Sequence, residues 1–303
     1  MKNKIIIGAR GSKLALIYAD RAKSALLKNQ EIKNVEIKSI KTIGDTIKEV
    51  RVSEHGGKGL FCKTIEEELL DKKIDIAVHA LKDMPIDETS GLITNCFLKR
   101  NDPREVLISN ENKRLKKLRK NAIIGTSSFR REFQIKQIRN DLNCKLIRGN
   151  VDTRIKKLDK NLYDAIILSI AGIKSLGLEK KISQTFSTKE IIPSAGQGVI
   201  ALQCRENDKE LIKLMNQINH KPTYECIKAE RAVLKVLEGD CDTAVGAFAT
   251  IVEDRINLEA ELYSLDGKKR FYVKLSKNIE LASKLGTEVG RSLRKQSNNS
   301  YKK

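Results

Sequence analysis

The chain has 303 residues, with 59 Lys or Arg against 39 Asp or Glu, for a formal charge of +20. Hydrophobic residues make up 40% and charged residues 32%, which excludes global disorder and repeat or collagen-like composition and leaves room for two or three cores. No apolar run approaches the ~18 residues of a membrane span, and the opening MKNKIIIGARGS is too short in apolar residues for a signal peptide, so a cytoplasmic protein is expected.

The first segment reads strand, loop, helix. Lys4–Ile7 is a β run, Gly8–Ser12 a small-residue turn, and Lys13–Leu27 a helix with apolar positions at 15, 19, 22 and 26. A strand near Val35–Lys41 follows, and Gly56–Gly59 leads into a helix that carries Phe61, Ile65 and Leu69 on one face. Ile74–Ala80 is the next strand. Lys99–Arg104, polar and interrupted by Pro103, is a crossing, and beyond it the pattern restarts. Strands are expected at Ala122–Gly125, Lys145–Arg148 and Tyr163–Ile170, with helices at Ser128–Arg139 and Val151–Leu158 between them. Ser194–Gly198 is a second crossing, and Val199–Leu202 an apolar run after it. From about Pro222 come a helix, β runs at Gly246–Val252, Ile256–Leu265 and Arg270–Leu275, and a final helix, with the polar tail Arg294–Lys303 expected to fray. Strands separated by helices in two similar units argue for α/β layers, and the last third for a small α+β domain.

In such sheets ligands sit beyond the carboxyl ends of strands, and here those ends are basic or hydroxylic. Arg10 and Ser12 follow the first strand and Lys82–Asp83 the third. Thr126, Ser128, Arg130 and Arg131 follow Gly125, and Arg148 and Arg154 follow Ile147. Guanidinium forks bind carboxylates in bidentate fashion, so a ligand with several carboxylates is the natural match. Each feature has a plainer reading. Arg130–Arg131 can be a solvated helix face, Arg148–Gly149–Asn150 an ordinary turn, and Asp83 a cap or turn residue rather than a carboxylate that steadies a cation or moves a proton. His79 reads as a buried, hydrogen-bonded histidine. Cys241, in the polar stretch Glu238–Asp242, is an exposed nucleophile or attachment point, or else an incidental surface thiol. The other five cysteines are scattered without a CxxC pair, so no metal site is expected.

Nine stretches carry a resemblance that runs in order along nearly the whole chain. They are ARGSKLAL (9–16), GGKGLF (56–61), DIAVHALKDMP (75–85), NDPRE (101–105), IGTSSFRR (124–131), LIRGNVDTR (146–154), YDAIILSIAGIKSLGL (163–178), PSAGQGVIALQCR (193–205) and ERAVLKVLEGDC (230–241). Together they resemble the porphobilinogen deaminase, or hydroxymethylbilane synthase, family.

The resemblance implies an α/β fold of two similar periplasmic-binding-protein-like domains with a central cleft, plus a small α+β C-terminal domain. Its implied boundaries are 1–98 with 199–216, 104–192, and 221–303. It implies a dipyrromethane cofactor on Cys241 through a thioether, and condensation of four porphobilinogen units head to tail with loss of ammonia. Asp83 would be catalytic. Arg10, Ser12, Lys82, Thr126, Ser128, Arg130, Arg131, Arg148, Arg154, Gly172 and Gln197 would bind cofactor and substrate, with Lys58 and Phe61 in an active-site loop. A monomer acting on a small molecule is implied, with neither nucleic acid nor membrane as partner. The chain departs from the family pattern at Tyr18 (usually Gln), Ala80 (Ser), Ser175 (often an Arg that contacts the cofactor) and Ala244 (Pro). A solute-binding protein without chemistry, or a nucleic-acid binder drawn by the +20 charge, are the competing readings.

Overall fold

A computed structural model describes residues 4–30, 32–46, 57–239 and 243–302. Cys241 and Gly56 lie outside the described residues, as does the side chain of Lys58.

The chain opens with β1 (Lys4–Arg10), α1 (Lys13–Leu26), β2 (Asn34–Ile40), the single turn α2 (Ile43–Thr46), α3 (Lys63–Leu70), β3 (Ile76–Ala80) and β4 (Leu92–Phe97). Next come β5 (Glu105–Ser109), β6 (Ile123–Gly125), α4 (Phe129–Ile138), β7 (Asn143–Lys145), α5 (Val151–Asp159), β8 (Ala165–Ser169), α6 (Ile170–Ser175) and β9 (Gln184–Thr185). The last stretch holds β10 (Ile200–Arg205), α7 (Lys209–Ile218), α8 (Lys221–Leu237), β11 (Val245–Val252), β12 (Arg255–Tyr263), β13 (Arg270–Asn278) and α9 (Ala282–Ser297). The described residues fall into two compact units, one of residues up to 101 with 198–224, the other of 102–197 with 225 onward.

The first unit is built on a five-stranded sheet ordered β2-β1-β3-β10-β4. The strands β2, β1 and β3 run parallel, while β10 is antiparallel to both its neighbours. Side chains alternate across the sheet. Ile5, Ile7 and Ala9 pack with Ala19, Ala22 and Leu26 of α1, and Ile6 lies against a second cluster of Ile40, Ile65, Leu69 and Ile74. Each such fully buried Ile or Leu contributes about 1.5–3 kcal/mol by leaving water. The expected turn at Gly8–Ser12 begins later than the sequence suggested, because Gly8 and Ala9 continue β1 in register with β2. Gly8 serves packing here: a Cβ on it would lie 2.4 Å from Ile74 Cδ1.

The second unit repeats the arrangement as β7-β6-β8-β5-β9, with β7, β6 and β8 parallel and β5 antiparallel to β8. Its cores again lie on both faces, Leu107 and Ile167 on one, Val106, Ile108, Ile166 and Leu168 on the other. The strand expected at Lys145–Arg148 ends at Lys145, since pairing with β6 stops at Gly125. The same unit holds a three-stranded antiparallel meander, β11-β12-β13. There α9 meets α8 backbone to side: a Cβ on Gly286 would lie 2.1 Å from the Ala229 carbonyl oxygen. The tail does not fray as composition suggested. Tyr301 is 2% exposed and donates its hydroxyl to the Leu237 carbonyl (3.0 Å), and Leu265 N–H is satisfied by the Ser300 carbonyl (2.8 Å).

Candidate active site

Three parallel strands in each unit end on the same side of their sheet, and the polar residues singled out from the sequence cluster there. In the first unit, Arg10 closes β1, and Ser12 caps α1 by accepting the Ala15 N–H (3.3 Å). Asp83 ends a 3-10 turn, Leu81–Asp83, that follows β3 directly, so it is not a helix cap. Arg10, Ser12, Phe61, His79 and Asp83 line one pocket. The Arg10 guanidinium lies over the Phe61 ring, 4.1 Å from its centroid, and the Cys62 thiol donates to the Asp83 carbonyl at 3.9 Å. The pocket therefore joins a guanidinium and a hydroxyl, which suit a carboxylate, to a carboxylate that suits a pyrrole N–H or a cation. Lys82, half-buried in the same turn, is not among the residues lining it.

Two further residues of the pocket wall are Tyr18 and His79, the latter buried and hydrogen-bonded as the sequence suggests. Tyr18, noted only as a departure, is buried as well. His79 is the end of a buried relay: its Nε2 meets Gln203 Oε1 (3.3 Å), Gln203 Nε2 donates to Glu66 (2.9 Å), and Glu66 accepts from Thr89 (2.8 Å). Because Gln203 spends its N–H on Glu66, its oxygen faces His79, which fixes the Nε2–H tautomer of a neutral ring. Burial pushes the His79 pKa down to about 4.

In the second unit, Thr126 follows β6, its N–H held by the Lys145 carbonyl (3.0 Å), and its hydroxyl accepts the Ser128 N–H (3.2 Å). Ser128 caps α4. Arg130 and Arg131 lie on the first turn of α4, 5% and 7% exposed, so the solvated-face reading is wrong for both. Glu105, fully buried, binds both: 2.6 Å from Arg130 Nη2, and 3.0 and 2.8 Å from Arg131 Nε and Nη2. The carbonyls of Ile192 and Ile167 take one further bond each. The sequence reading passed over Glu105, whose only signal was a charge opening an apolar run.

Beyond β7, the chain bends at Gly149, between Arg148 and Asn150, with φ +107°. Arg154 Nε donates to the Gly149 carbonyl (2.8 Å) and Lys157 to that of Arg148 (3.2 Å). Gly172 is buried in α6. Gln197 is also buried, with its amide donating to the Pro103 carbonyl (2.7 Å). Ser175 closes α6 with its Oγ shut from solvent and without a hydrogen bond among the described residues. Ala244 packs with Phe133 and Tyr263. Burial pushes the thiols of Cys96, Cys144 and Cys204 up to about 12, which removes them as nucleophiles at neutral pH.

Glu261 on β12 was also passed over. It is 1% exposed, accepts from Arg270 Nε (2.9 Å) and leaves Oε1 without a hydrogen bond among the described residues. Burial raises its pKa above the ordinary carboxylate value, with Arg270 and Arg130 opposing. The folded state thus holds this proton more tightly than the unfolded chain, and stability falls as pH rises from about 4.5 through the raised value. Glu261→Gln is therefore expected to gain melting temperature relative to the parent at pH 8 compared with pH 4.5, measured by thermal unfolding at both.

Two family models match the chain, "Porphobilinogen deaminase, dipyromethane cofactor binding domain" over residues 5–213 and "Porphobilinogen deaminase, C-terminal domain" over 224–295. The chain belongs to the porphobilinogen deaminase family. It is similar to the porphobilinogen deaminase of Syntrophomonas wolfei (42% identity over 290 residues, 96% of this chain and 95% of that one). Those of Alkaliphilus metalliredigens (39%, 95% and 92%) and Bacillus cereus (45%, 87% and 86%) are similar over comparable spans. Among solved structures, an arginine-specific periplasmic binding protein of Salmonella typhimurium aligns at 12% identity with a TM-score of 0.41, over 73% of this chain and 94% of that one. The α/β assignment rests on the two sheets themselves, which share one strand pattern. Porphobilinogen deaminase membership agrees with the family named from the nine sequence stretches.

Proposed function

We propose that this chain is a hydroxymethylbilane synthase, a transferase that joins four porphobilinogen molecules head to tail with loss of ammonia. It would do so on a dipyrromethane primer held by a thioether at Cys241. The observation that carries the reading is the single pocket combining Arg10, Ser12 and Asp83 at the carboxyl ends of β1 and β3. That donor set fits an oligopyrrole, whose acetate and propionate arms need guanidinium and hydroxyl donors and whose ring N–H needs a carboxylate. Thr126, Ser128, Arg130, Arg131, Arg148 and Arg154 would take further acidic arms, with Lys82, Gly172 and Gln197 supporting and Lys58 and Phe61 in the loop over the site.

When bound, the dipyrromethane supplies an electron-rich pyrrole carbon to which the next unit is joined. Asp83 acts where porphobilinogen loses its aminomethyl nitrogen. With the aminomethyl nitrogen protonated to an ammonium, the C–N bond breaks, ammonia leaves with the electron pair, and the pyrrole left behind carries the positive charge. A fixed carboxylate beside the ring N–H stabilises that charge and accepts a proton as the C–C bond forms. Arg10 holds an acidic arm so that the reacting carbons stay in register. We further propose three domains at 1–98 with 199–216, 104–192 and 221–303, and a cytoplasmic monomer acting on a small molecule rather than nucleic acid. The low aromatic content of 4% supports the last point, since stacking platforms are sparse.

Mass spectrometry tests the proposal directly. Protein from cells that make porphobilinogen is expected to be heavier than its sequence by two condensed pyrroles and to colour with a pyrrole-reactive aldehyde. Cys241→Ser is expected to lose the added mass, the colour and all measurable turnover. An unmodified mass in the parent would reject the assignment.

A further inference from the structure

Two buried guanidinium groups sharing one buried carboxylate is an unusual arrangement, because the burial of each cation is costly unless a counter-charge and hydrogen bonds offset it. Arg130, Arg131 and Glu105 come from α4 and β5, and all three are less than 8% exposed. One Glu105 oxygen binds Arg130 and Arg131 Nε together, and the other binds Arg131 Nη2. Glu105 is itself fixed by the sheet, paired with Ser169 of β8 and with its carbonyl taken by the Phe186 N–H (3.0 Å). The Arg130 fork is held on its other side by the Ile192 carbonyl, and Gln134 clamps that peptide through both its N–H (2.6 Å) and its carbonyl (3.0 Å).

An inventory of donors shows what is left. A guanidinium has five N–H groups. Among the described residues, the bonds within the chain use two from Arg130 and three from Arg131, so three and two are left over there. Charge points the same way among the bonded groups, where two cations share the one carboxylate of Glu105, while Glu261 acts on Arg130 without a hydrogen bond to it. We infer that Glu105 is a positioning residue that braces Arg130 and Arg131 into one preset receptor, with charge and donors for one further carboxylate from the substrate chain. The inference rests on the proposed role of these arginines in binding acidic arms, and it adds how they are held. Without Glu105, the two like charges repel, and each fork must be ordered anew when substrate arrives, a cost that appears in binding.

In the cofactor-loaded enzyme, Glu105→Gln is expected to raise the KM for porphobilinogen at least fivefold while kcat falls no more than twofold. Such a split reports lost binding shared by ground and transition states. Glu105→Asp keeps the charge and is expected to stay within threefold of the parent on both. A role in folding alone predicts a lower melting temperature for Glu105→Gln with KM unchanged in the folded fraction, and that result overturns the proposal. Arg131→Gln separates the proposal from the reading beneath it. An unchanged KM there withdraws the arginine assignment itself, whereas a raised KM there beside a parental KM in Glu105→Gln overturns only the part given to Glu105. Should Glu105→Gln fail to fold, the charge-balanced Glu105→Gln/Arg130→Gln pair takes its place against Arg130→Gln alone. The pair is expected to show a KM at least threefold higher because Arg131 has lost its brace, and an equal KM overturns the proposal.

Discussion

Asp83→Asn is expected to cut turnover about 10²–10³-fold while leaving the covalent primer in place, the scale typical of removing one preorganised group at a developing charge. Asparagine keeps the shape and one oxygen of aspartate but carries no negative charge. The substitution therefore tests the electrostatic role apart from the fit of the pocket, in which Asp83 lies with Arg10, Ser12 and Phe61. Steady-state rates with porphobilinogen and the mass of the purified variant check both halves. Turnover within a factor of about three of the parent would remove Asp83 from the chemistry.

A second large effect concerns pH and stability. The His79 pKa is pushed down to about 4 by burial, against an ordinary value of 6.5. The folded protein thus holds its ring neutral, while the unfolded chain takes up a proton as pH falls below 6.5. Stability from this group is complete above 6.5 and is lost as pH falls towards 4. Between pH 7 and pH 5 the loss from His79 alone comes to about 2 kcal/mol by linkage. Urea unfolding of the parent and of His79→Gln at both pH values isolates it. The stability difference between them is expected to shrink by about that amount at the lower pH. A difference that stays constant would mean that the ring is protonated in the folded state, and that the Gln203–Glu66 relay supports a cation.

Much of the candidate site was legible because strand ends carry it, although Lys82 stays outside the pocket that Arg10, Ser12 and Asp83 line. Arg10, Ser12, Lys82 and Asp83, and then Thr126, Ser128, Arg148 and Arg154, are short-range features, each readable from an apolar run followed by polar residues. Long-range pairings left no such trace. Arg130 and Arg131 sit at helix positions that solvent could cover equally well, and only a carboxylate 25 or 26 residues away in sequence explains their burial. Glu105 in turn looks like the polar edge of the crossing, although β5 is buried from its first residue. The strand β4 escaped because Thr94 and Asn95 interrupt its alternation, its exposure pattern running buried, three half-buried, then two buried. In the tail, one tyrosine outweighs the polar residues around it, since Tyr301 meets the Leu237 carbonyl. The dihedral needs of Gly149 were equally invisible, as they depend on how Thr153 packs over the bend.

The placement of β10 has a consequence for synthesis on the ribosome. This strand separates β3 from β4 and is the sole sheet partner of β4 among the described residues, yet it leaves the tunnel roughly 100 residues after β4 does. At translation speeds of about 5–20 residues per second, the nascent chain carries an open edge on β3 for on the order of 5–20 s. During that delay all five strands of the later five-stranded sheet emerge, so the sheet begun first is completed after it. A chaperone that shields extended apolar segments would find its longest-lived target at Ile76–Ala80 and Leu92–Phe97.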